Sequence, residues 1–411
     1  MIQNNQEQSI NYSKWLEYVI FLLFLLGPLT GNIINVLFGV LSADFNVSSD
    51  DILTAIPAFM FPFAFTQLFS GAISDVKGRI PILILGLIIF MIAMITAALS
   101  FNLEMYIIAN ILGGIGFGFI NPVLIALITD INLPQNIPKK LGYLGASANL
   151  GVGLGPLIAS QLILIGWQSI YILFIVITGF CLIYFSITKR PSQEIYEDSG
   201  IHNLLRQISI EWRRLPVILM ILSSFLIAYT YIAINIWTSK TLAHIVNETL
   251  IGLVLGLAGL GAAITGILTG NLIKRKGVKI PLFTGLLILI CAIISLLLVG
   301  DITNPNRFIF LVPGWILAGF SGGILFTLIT YYSQVLSPKR RGVLAGSLTT
   351  GYFTGIALVP TTLAPFSIIF GITGVYIAIL VISMFFLIVT FLLYILAKGE
   401  FSEQSTPLRP K

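Results

Sequence analysis

Charge is what this sequence has least of. Only 9% of its 411 residues are charged, while 57% are hydrophobic. A soluble domain carries about a quarter charged residues, so this chain has too few to cover a water-exposed surface. Its main solvent is expected to be lipid. Histidine is nearly absent as well, with only His202 and His244. The two cysteines, Cys181 and Cys291, each lie in an apolar run without disulfide or metal spacing. No Gly-x4-Gly-Lys-Ser/Thr pattern is present, which argues against ATP use by a P-loop. The first 13 residues hold no Lys or Arg and no small-residue cleavage site, so a signal peptide is not expected. Most telling, no Asp, Glu, Lys, Arg or His falls near the middle of any long apolar run. An intramembrane enzyme would need such groups to converge. No cofactor motif is present either.

What is abundant is apolar sequence in spans of about 20 residues, the length that crosses a bilayer. Twelve such helices are predicted: 18–41, 52–73, 81–99, 105–128, 141–164, 170–187, 216–238, 250–273, 281–299, 308–332, 343–365 and 371–396, numbered helix 1 to helix 12. With the amino terminus in the cytoplasm, every Lys and Arg except Lys240 and Arg307 falls in a cytoplasmic segment. That asymmetry sets orientation, and one missed helix would scramble it. The net charge of +6 therefore reports topology, and no nucleic-acid partner is expected.

Residues 188–215 form the longest non-spanning stretch. Ile201, Leu204, Leu205, Ile208 and Trp212 recur there at helical spacing among Arg206, Glu211, Arg213 and Arg214. An amphipathic helix on the cytoplasmic face is the expectation, with a disordered linker as the alternative. The domain plan is thus a six-helix bundle over 1–187, a linker over 188–215, a second six-helix bundle over 216–397 and a cytoplasmic tail over 398–411. The two bundles repeat. PKKLGYLGASANLGVGLG from Pro138 answers PKRRGVLAGSLTTGYFTG from Pro338, and GAISDVKGRIP from Gly71 answers GNLIKRKGVKIP from Gly270. Leu127-Ile128-Thr129 also matches Leu328-Ile329-Thr330. Parallel repeats of this kind place a solute site between them near mid-membrane.

The segment Gly71-Ala-Ile-Ser-Asp75-Val-Lys77-Gly78-Arg79 resembles the loop between helices 2 and 3 of the major facilitator superfamily. With the helix count and the repeat, the resemblance covers nearly the whole chain. Val76 and Ile80 depart from it, since the family often has a base at both positions. The resemblance implies an all-α membrane protein with twelve helices in two pseudo-symmetric bundles. It also implies a cytoplasmic gate of Gly71, Asp75, Gly78, Arg79 and Asp130. There Asp75 meets the amino end of helix 11 near Gly342 to Ala345, and Arg79 pairs with Asp75 and Asp130. A helix amino terminus suits a carboxylate. The cluster would break as the protein opens inward. The alternative is that these are turn charges that only set topology. In the second repeat, Lys274 stands at the Asp75 position.

Gly151-Val-Gly153-Leu-Gly155-Pro156 in helix 5 resembles the Gly-rich signature of the family's 12-helix drug and proton antiporters. Gly151, Gly155 and Pro156 are read as a hinge or packing element; close helix approach is the alternative use. Antiporters of this branch often carry an acid in helix 1 and a base in helix 4. Those places hold Asn32 and Asn110 here, which weakens the case for proton coupling without removing it. Helices 1, 4, 7 and 10 line the cavity in the family. The resemblance therefore assigns Asn32, Asn35, Asn110, Asn121, Tyr231, Asn235 and Trp315 to solute binding. Interhelical hydrogen bonding is the competing use of buried Asn. The expected activity is secondary transport of a small neutral or lipophilic solute by alternating access, in the direction of efflux, by a monomeric multi-pass protein of the cell membrane. An uncoupled uniporter and a transport-inactive sensor or scaffold are the alternatives.

Overall fold

The computed structural model describes residues 14–133, 136–188, 201–301, 305–337 and 340–404. Residues 189–200 of the linker, Pro338-Lys339 of the second repeat and the tail beyond residue 404 lie outside the described residues. Helix 1 runs over Lys14–Asn32, continues through a 3-10 turn at Ile33–Val36 and resumes at Phe38–Phe45. Helices 2 to 6 are Ala55–Lys77, Arg79–Ala98, Leu103–Asp130, Ile137–Leu162 and Gln168–Ile187. A short linker helix, Ile201–Glu211, follows. Helix 7 comprises Leu215–Ile227, a π-helical turn at Ala228–Ile232 and Ala233–Leu242. Helices 8 to 10 are Glu248–Lys276, Lys279–Val299 and Leu311–Val335.

The last helical stretch, Arg341–Gln404, is 64 residues long. At about 1.5 Å per residue it would be roughly three bilayers in length. Gly371 divides it: its φ of +63° and ψ of −162° are non-helical, and only glycine adopts such a pair without strain. Helix 11 is therefore 341–370 and helix 12 is 371–404, which makes twelve long helices among the described residues. Gly78 plays a similar part between helices 2 and 3 at φ +95°, and Gly277 answers it in the second repeat at φ +75°.

Helix 4 packs against helices 2 and 3, helix 5 against helix 1, and helix 6 against helix 3; helix 10 packs on helices 8 and 9, and helix 7 on helix 11. The two six-helix bundles meet along helices 5 and 8 and along helices 2 and 11. In lipid, association depends on close packing because burial from water is already complete. Glycines supply the approach. A Cβ on Gly114 would lie 2.2 Å from the Phe59 carbonyl oxygen, and one on Gly323 would lie 2.0 Å from that of Ala262.

These contacts fix the true internal register. Gly114 and Gly118 meet Phe59 and Phe63 of helix 2, while Gly319 and Gly323 meet Ala258 and Ala262 of helix 8. Helix 10 therefore matches helix 4 at an offset of 205 residues, and helix 8 matches helix 2 at 199. The sequence match of Leu127-Ile128-Thr129 with Leu328-Ile329-Thr330 is not the packing register. Apolar identity shows only that both helices are buried there. Helices 5 and 11 do keep the offset of 200: Gly151 and Gly155 sit on the carbonyls of Leu25 and Leu29, as Gly351 and Gly355 sit on those of Ile221 and Phe225. The same four contacts put helix 7 at an offset of 196 from helix 1. At that offset the 3-10 turn of helix 1 falls on the π turn of helix 7.

Gly323→Ala should cost about 1–3 kcal/mol, because the methyl meets backbone that cannot give. Gly145→Ala should be neutral or stabilising by up to about 1 kcal/mol, since no atom lies within 4 Å of a Cβ there. Thermal unfolding in one detergent compares the two, and equal melting temperatures would contradict the packing.

Candidate functional site

Helices 1 and 7 both lose regular helical geometry at matched depth, and such breaks concentrate at functional positions. Each also carries residues assigned to the solute. Their polar groups are satisfied unequally. Asn235 is 3% exposed, and its Oδ1 accepts from the Trp315 indole Nε1 at 2.7 Å; Trp315 itself is fully buried. The Tyr231 ring, also buried, packs on Gly322 of helix 10. These three assigned residues thus form one cluster inside the second bundle.

The first bundle differs. Asn32 is partly exposed and its Nδ2 donates to the Pro28 carbonyl at 2.7 Å. Asn110 likewise turns back to the Tyr106 carbonyl at 2.8 Å. Asn121 is buried in helix 4. Asn35 is 3% exposed, and its Oδ1 has no hydrogen-bond partner among the described residues. Beside Asn110 lies a narrow cavity between helices 1, 2, 3, 4 and 6, backed by Tyr106 and Tyr171, whose hydroxyls are 2.5 Å apart.

An aromatic band joins the halves across the middle. Phe326 contacts Tyr352, Tyr352 contacts Phe353, and Phe353 meets Phe63 of helix 2 with ring centroids 4.3 Å apart. Helix 5 carries its glycines on two sides. Gly151 and Gly155 seat helix 1, whereas Gly153 opposes Gly259 of helix 8, where a Cβ on Gly259 would lie 2.3 Å from the Gly153 Cα. Helix 5 runs without a break through Pro156, whose carbonyl faces Gly252. Helix 5 thus presents one glycine face within its own bundle and another to the second bundle.

The two ends of the molecule differ in closure. The loop after helix 1 meets the end of helix 7 at the end poor in Lys and Arg. There Ser49 Oγ and His244 Nε2 are 2.9 Å apart, and Lys240 Nζ is 2.7 Å from Asp50 Oδ1. Lys240 also lies 5.1 Å over the Trp237 ring. Both pairs tie one bundle to the other, though partial exposure limits such an ion pair to about 0–1 kcal/mol. At the basic end, nothing lies within 4 Å of a Cβ built on Gly145, Gly270, Gly342 or Gly346. A side chain at these positions of helices 5, 8 and 11 would meet open space.

The loop cluster is intact. Asp75 pairs with Arg79, and Arg79 Nε donates to Asp130 Oδ2 at 3.0 Å. Arg79 Nη1 also donates to Ser74 Oγ at 2.7 Å and, more weakly, to the Gly71 carbonyl at 3.5 Å. Burial raises the Asp75 carboxyl above its usual range; Arg79 opposes this and Asp130 adds to it. No atom lies within 4 Å of a Cβ built on Gly342.

Sequence patterns gave no sign of the second hub at this end. Glu211, 3% exposed at the end of the linker helix, accepts from Arg214 at 2.8 Å, Arg340 at 2.9 Å and Ser337 at 3.1 Å. Trp212 Nε1 donates to Ser347 Oγ of helix 11 at 2.9 Å. Trp212 falls on the apolar face expected from the sequence, and its ring nitrogen anchors the linker to the second bundle. Lys140 pairs with Glu17 at 2.5 Å and joins helices 5 and 1.

The family profile described as Major Facilitator Superfamily matches residues 20–360 and again 238–410. The chain belongs to the major facilitator superfamily, a class of membrane transporters and not of enzymes. It is 29% identical over 160 residues to the MFS-type transporter YvkA of Bacillus subtilis, covering 38% of this chain and 36% of that one. It is 26% identical over 239 residues to the methylenomycin A resistance protein of Bacillus subtilis, covering 54% and 51%. With the quinolone resistance protein NorA of Staphylococcus aureus it shares 28% over 214 residues, covering 51% and 54%. The matched stretches thus span between a third and about half of these curated relatives. Its fold is similar to the crystal structures of the human organic anion transporter MFSD10, with TM-score 0.66 and 18% identity, and of the nucleoside transporter NupG, with TM-score 0.71 and 12% identity. Each alignment covers 92% of this chain, with 99% of the first structure and 98% of the second.

Burial raises the Glu211 carboxyl, but the hydrogen bonds from Arg214, Arg340 and Ser337 and the Arg214 charge outweigh it, for a net value below the ordinary 4.5. A depressed carboxylate stabilises above its unfolded value and loses that contribution as pH falls through the folded one. The linker should therefore stay docked at pH 5 and release only well below pH 4.5. Arg340→Gln should move that release to higher pH. Trp212 emission, taken against a Trp212→Phe background, follows the transition; an unchanged midpoint in Arg340→Gln would contradict the hub.

Proposed function

We propose that this transporter exports a small, neutral or lipophilic solute, with both termini and the basic end in the cytoplasm. On that reading the described state is open inward. The observation that carries the proposal is the character of the cleft. Its assigned contacts are amides and aromatic rings, and no ionised side chain stands among them. An inorganic ion or phosphorylated solute would call for a fixed opposite charge. A neutral solute needs hydrogen-bond partners and apolar walls, and Asn32 with the aromatic band supplies both. Two relatives named for resistance to methylenomycin A and to quinolones support export of small organic compounds. The excess of Lys and Arg at one end supports the orientation.

The domain plan read from the sequence is kept as part of the proposal: bundles over 1–187 and 216–397, the linker between them and a short tail. The bundles rock about the aromatic band and the Gly153–Gly259 contact. Outward opening separates Ser49 from His244 and Asp50 from Lys240. Uncoupled facilitation is the second reading, favoured by the lack of a titratable group among the cleft contacts. A proton-coupled cycle would instead act through Asp75, Arg79 and Asp130.

Flux in proteoliposomes across a panel of neutral lipophilic compounds, with and without an imposed pH gradient, tests the proposal. Efflux of at least one compound is expected. Acceleration by the gradient supports coupling, and indifference to it supports the facilitator. Transport confined to anionic or phosphorylated compounds would overturn the solute class. Asn32→Ala should lower flux roughly tenfold, the worth of one hydrogen bond in a dry site, while insertion stays normal. Wild-type flux in Asn32→Ala would remove Asn32 from the site.

A further inference from the structure

Helix 2 meets helix 11 in one seam between the bundles, and helix 5 meets helix 8 in the other. The first seam holds two polar groups that nothing satisfies. Gln67 of helix 2 is 6% exposed, and its amide Nε2 has no hydrogen-bond partner among the described residues. The Oγ1 of Thr350 in helix 11 is likewise buried and without a partner there. A buried donor or acceptor left unpaired forfeits the bond it had with water, and native interiors leave few of them.

Contact and repeat both place them at one level. Phe63 and Phe353 meet across this seam with ring centroids 4.3 Å apart. Helix 2 ends at the basic end, at Lys77, and helix 11 starts from it, at Arg341. Gln67, four residues after Phe63, and Thr350, three before Phe353, therefore both lie about one turn to the basic side of that contact. At the offsets of 199 for helices 2 and 8 and 200 for helices 5 and 11, Gln67 corresponds to Gly266 and Thr349 to Asn149. In the second seam those positions are neighbours, with Asn149 Nδ2 3.7 Å from a Cβ built on Gly266. Gln67 thus faces helix 11 at Thr349 and Thr350. The Thr349 hydroxyl donates within its own helix, to the Ala345 and Gly346 carbonyls. That leaves Thr350 as the unpaired hydroxyl beside the unpaired amide.

An amide N–H and a hydroxyl oxygen are complementary, and neither has another partner to give up. We propose that Gln67 Nε2 donates to Thr350 Oγ1 in a second arrangement of the bundles, so that the pair is a latch left undone in the described one. Rotation about the Phe63–Phe353 contact that closes the basic end draws together groups on the basic side of it. The latch therefore belongs to the state shut at the basic end. It rests on the reading of the described state as open inward, and it names a bond that holds the opposite state. The other seam carries no matching pair, because Gly266 stands at the Gln67 position.

Pulsed dipolar spectroscopy on the full chain in lipid nanodiscs tests the latch. Spin labels go at Gly145 and Gly346, one in each bundle, where no atom lies within 4 Å of a Cβ. Gln67→Met and Thr350→Val remove the polar atoms at nearly constant volume. Two distances are expected in the otherwise native chain. Each single variant should lower the ratio of the short to the long distance about fivefold, the worth of one hydrogen bond. The double variant should do no more than either single one, as for two partners in one bond. Unchanged ratios, or effects that add in the double variant, overturn the latch and leave the two states standing. A single distance in the otherwise native chain overturns the latch and the alternation together. Fivefold, non-additive shifts in a protein that moves no compound in proteoliposomes support the latch and overturn only the transport reading.

Discussion

Backbone against backbone, with glycine between, is the contact on which this molecule rests. A membrane protein gains little from withdrawing apolar surface into more apolar surface. What holds helix 4 to helix 2, helix 10 to helix 8 and helix 5 to helix 1 is the approach of carbonyls over Gly114, Gly323 and Gly151. The same device works between bundles at Gly153 and Gly259, where two smooth surfaces meet. Glycine contacts thus serve inside each bundle and in one of the two seams between them.

The ends are tied differently because their tasks differ. The far end is held by an ion pair, one hydrogen bond and the close packing of Gly39 against the Ala243 carbonyl. At the basic end the ties lie within a bundle. Asp75, Arg79 and Asp130 link helices 2 and 4, while Glu211 gathers Arg214, Arg340 and Ser337. The linker helix is tied to the second bundle through Trp212 and Ser347, and it also packs on helix 2.

Much of the fold was legible in the sequence because bilayer thickness and the rule of basic loops constrain it so tightly. The twelve spans, the turn at Gly78 and the repeat over helices 5 and 11 all followed from spacing. Register inside the repeat did not. Leu127 and Leu328 match in type, but only the glycine contacts reveal that helix 10 is displaced relative to helix 4. Nor did the breaks in helices 1 and 7 announce themselves, since neither Ile33–Val36 nor Ala228–Ile232 contains proline or glycine. Cross-bundle partners such as Ser49 and His244 stand 195 positions apart and share no local pattern. Among the residues assigned to the solute, Asn235 and Trp315 bond each other, a pairing that composition cannot distinguish from two separate ligand contacts.

The central claim is that the cleft opens at one end while the other is shut, and that the two exchange. Spin labels at Gly145 and Gly270 report the basic end, and labels at Ala43 and Leu250 report the far end. Pulsed dipolar spectroscopy in nanodiscs, with and without a transported compound, gives both distances. The account predicts opposite changes, with the basic-end pair drawing together as the far-end pair separates. Distances that stay fixed, or that lengthen together, would contradict it.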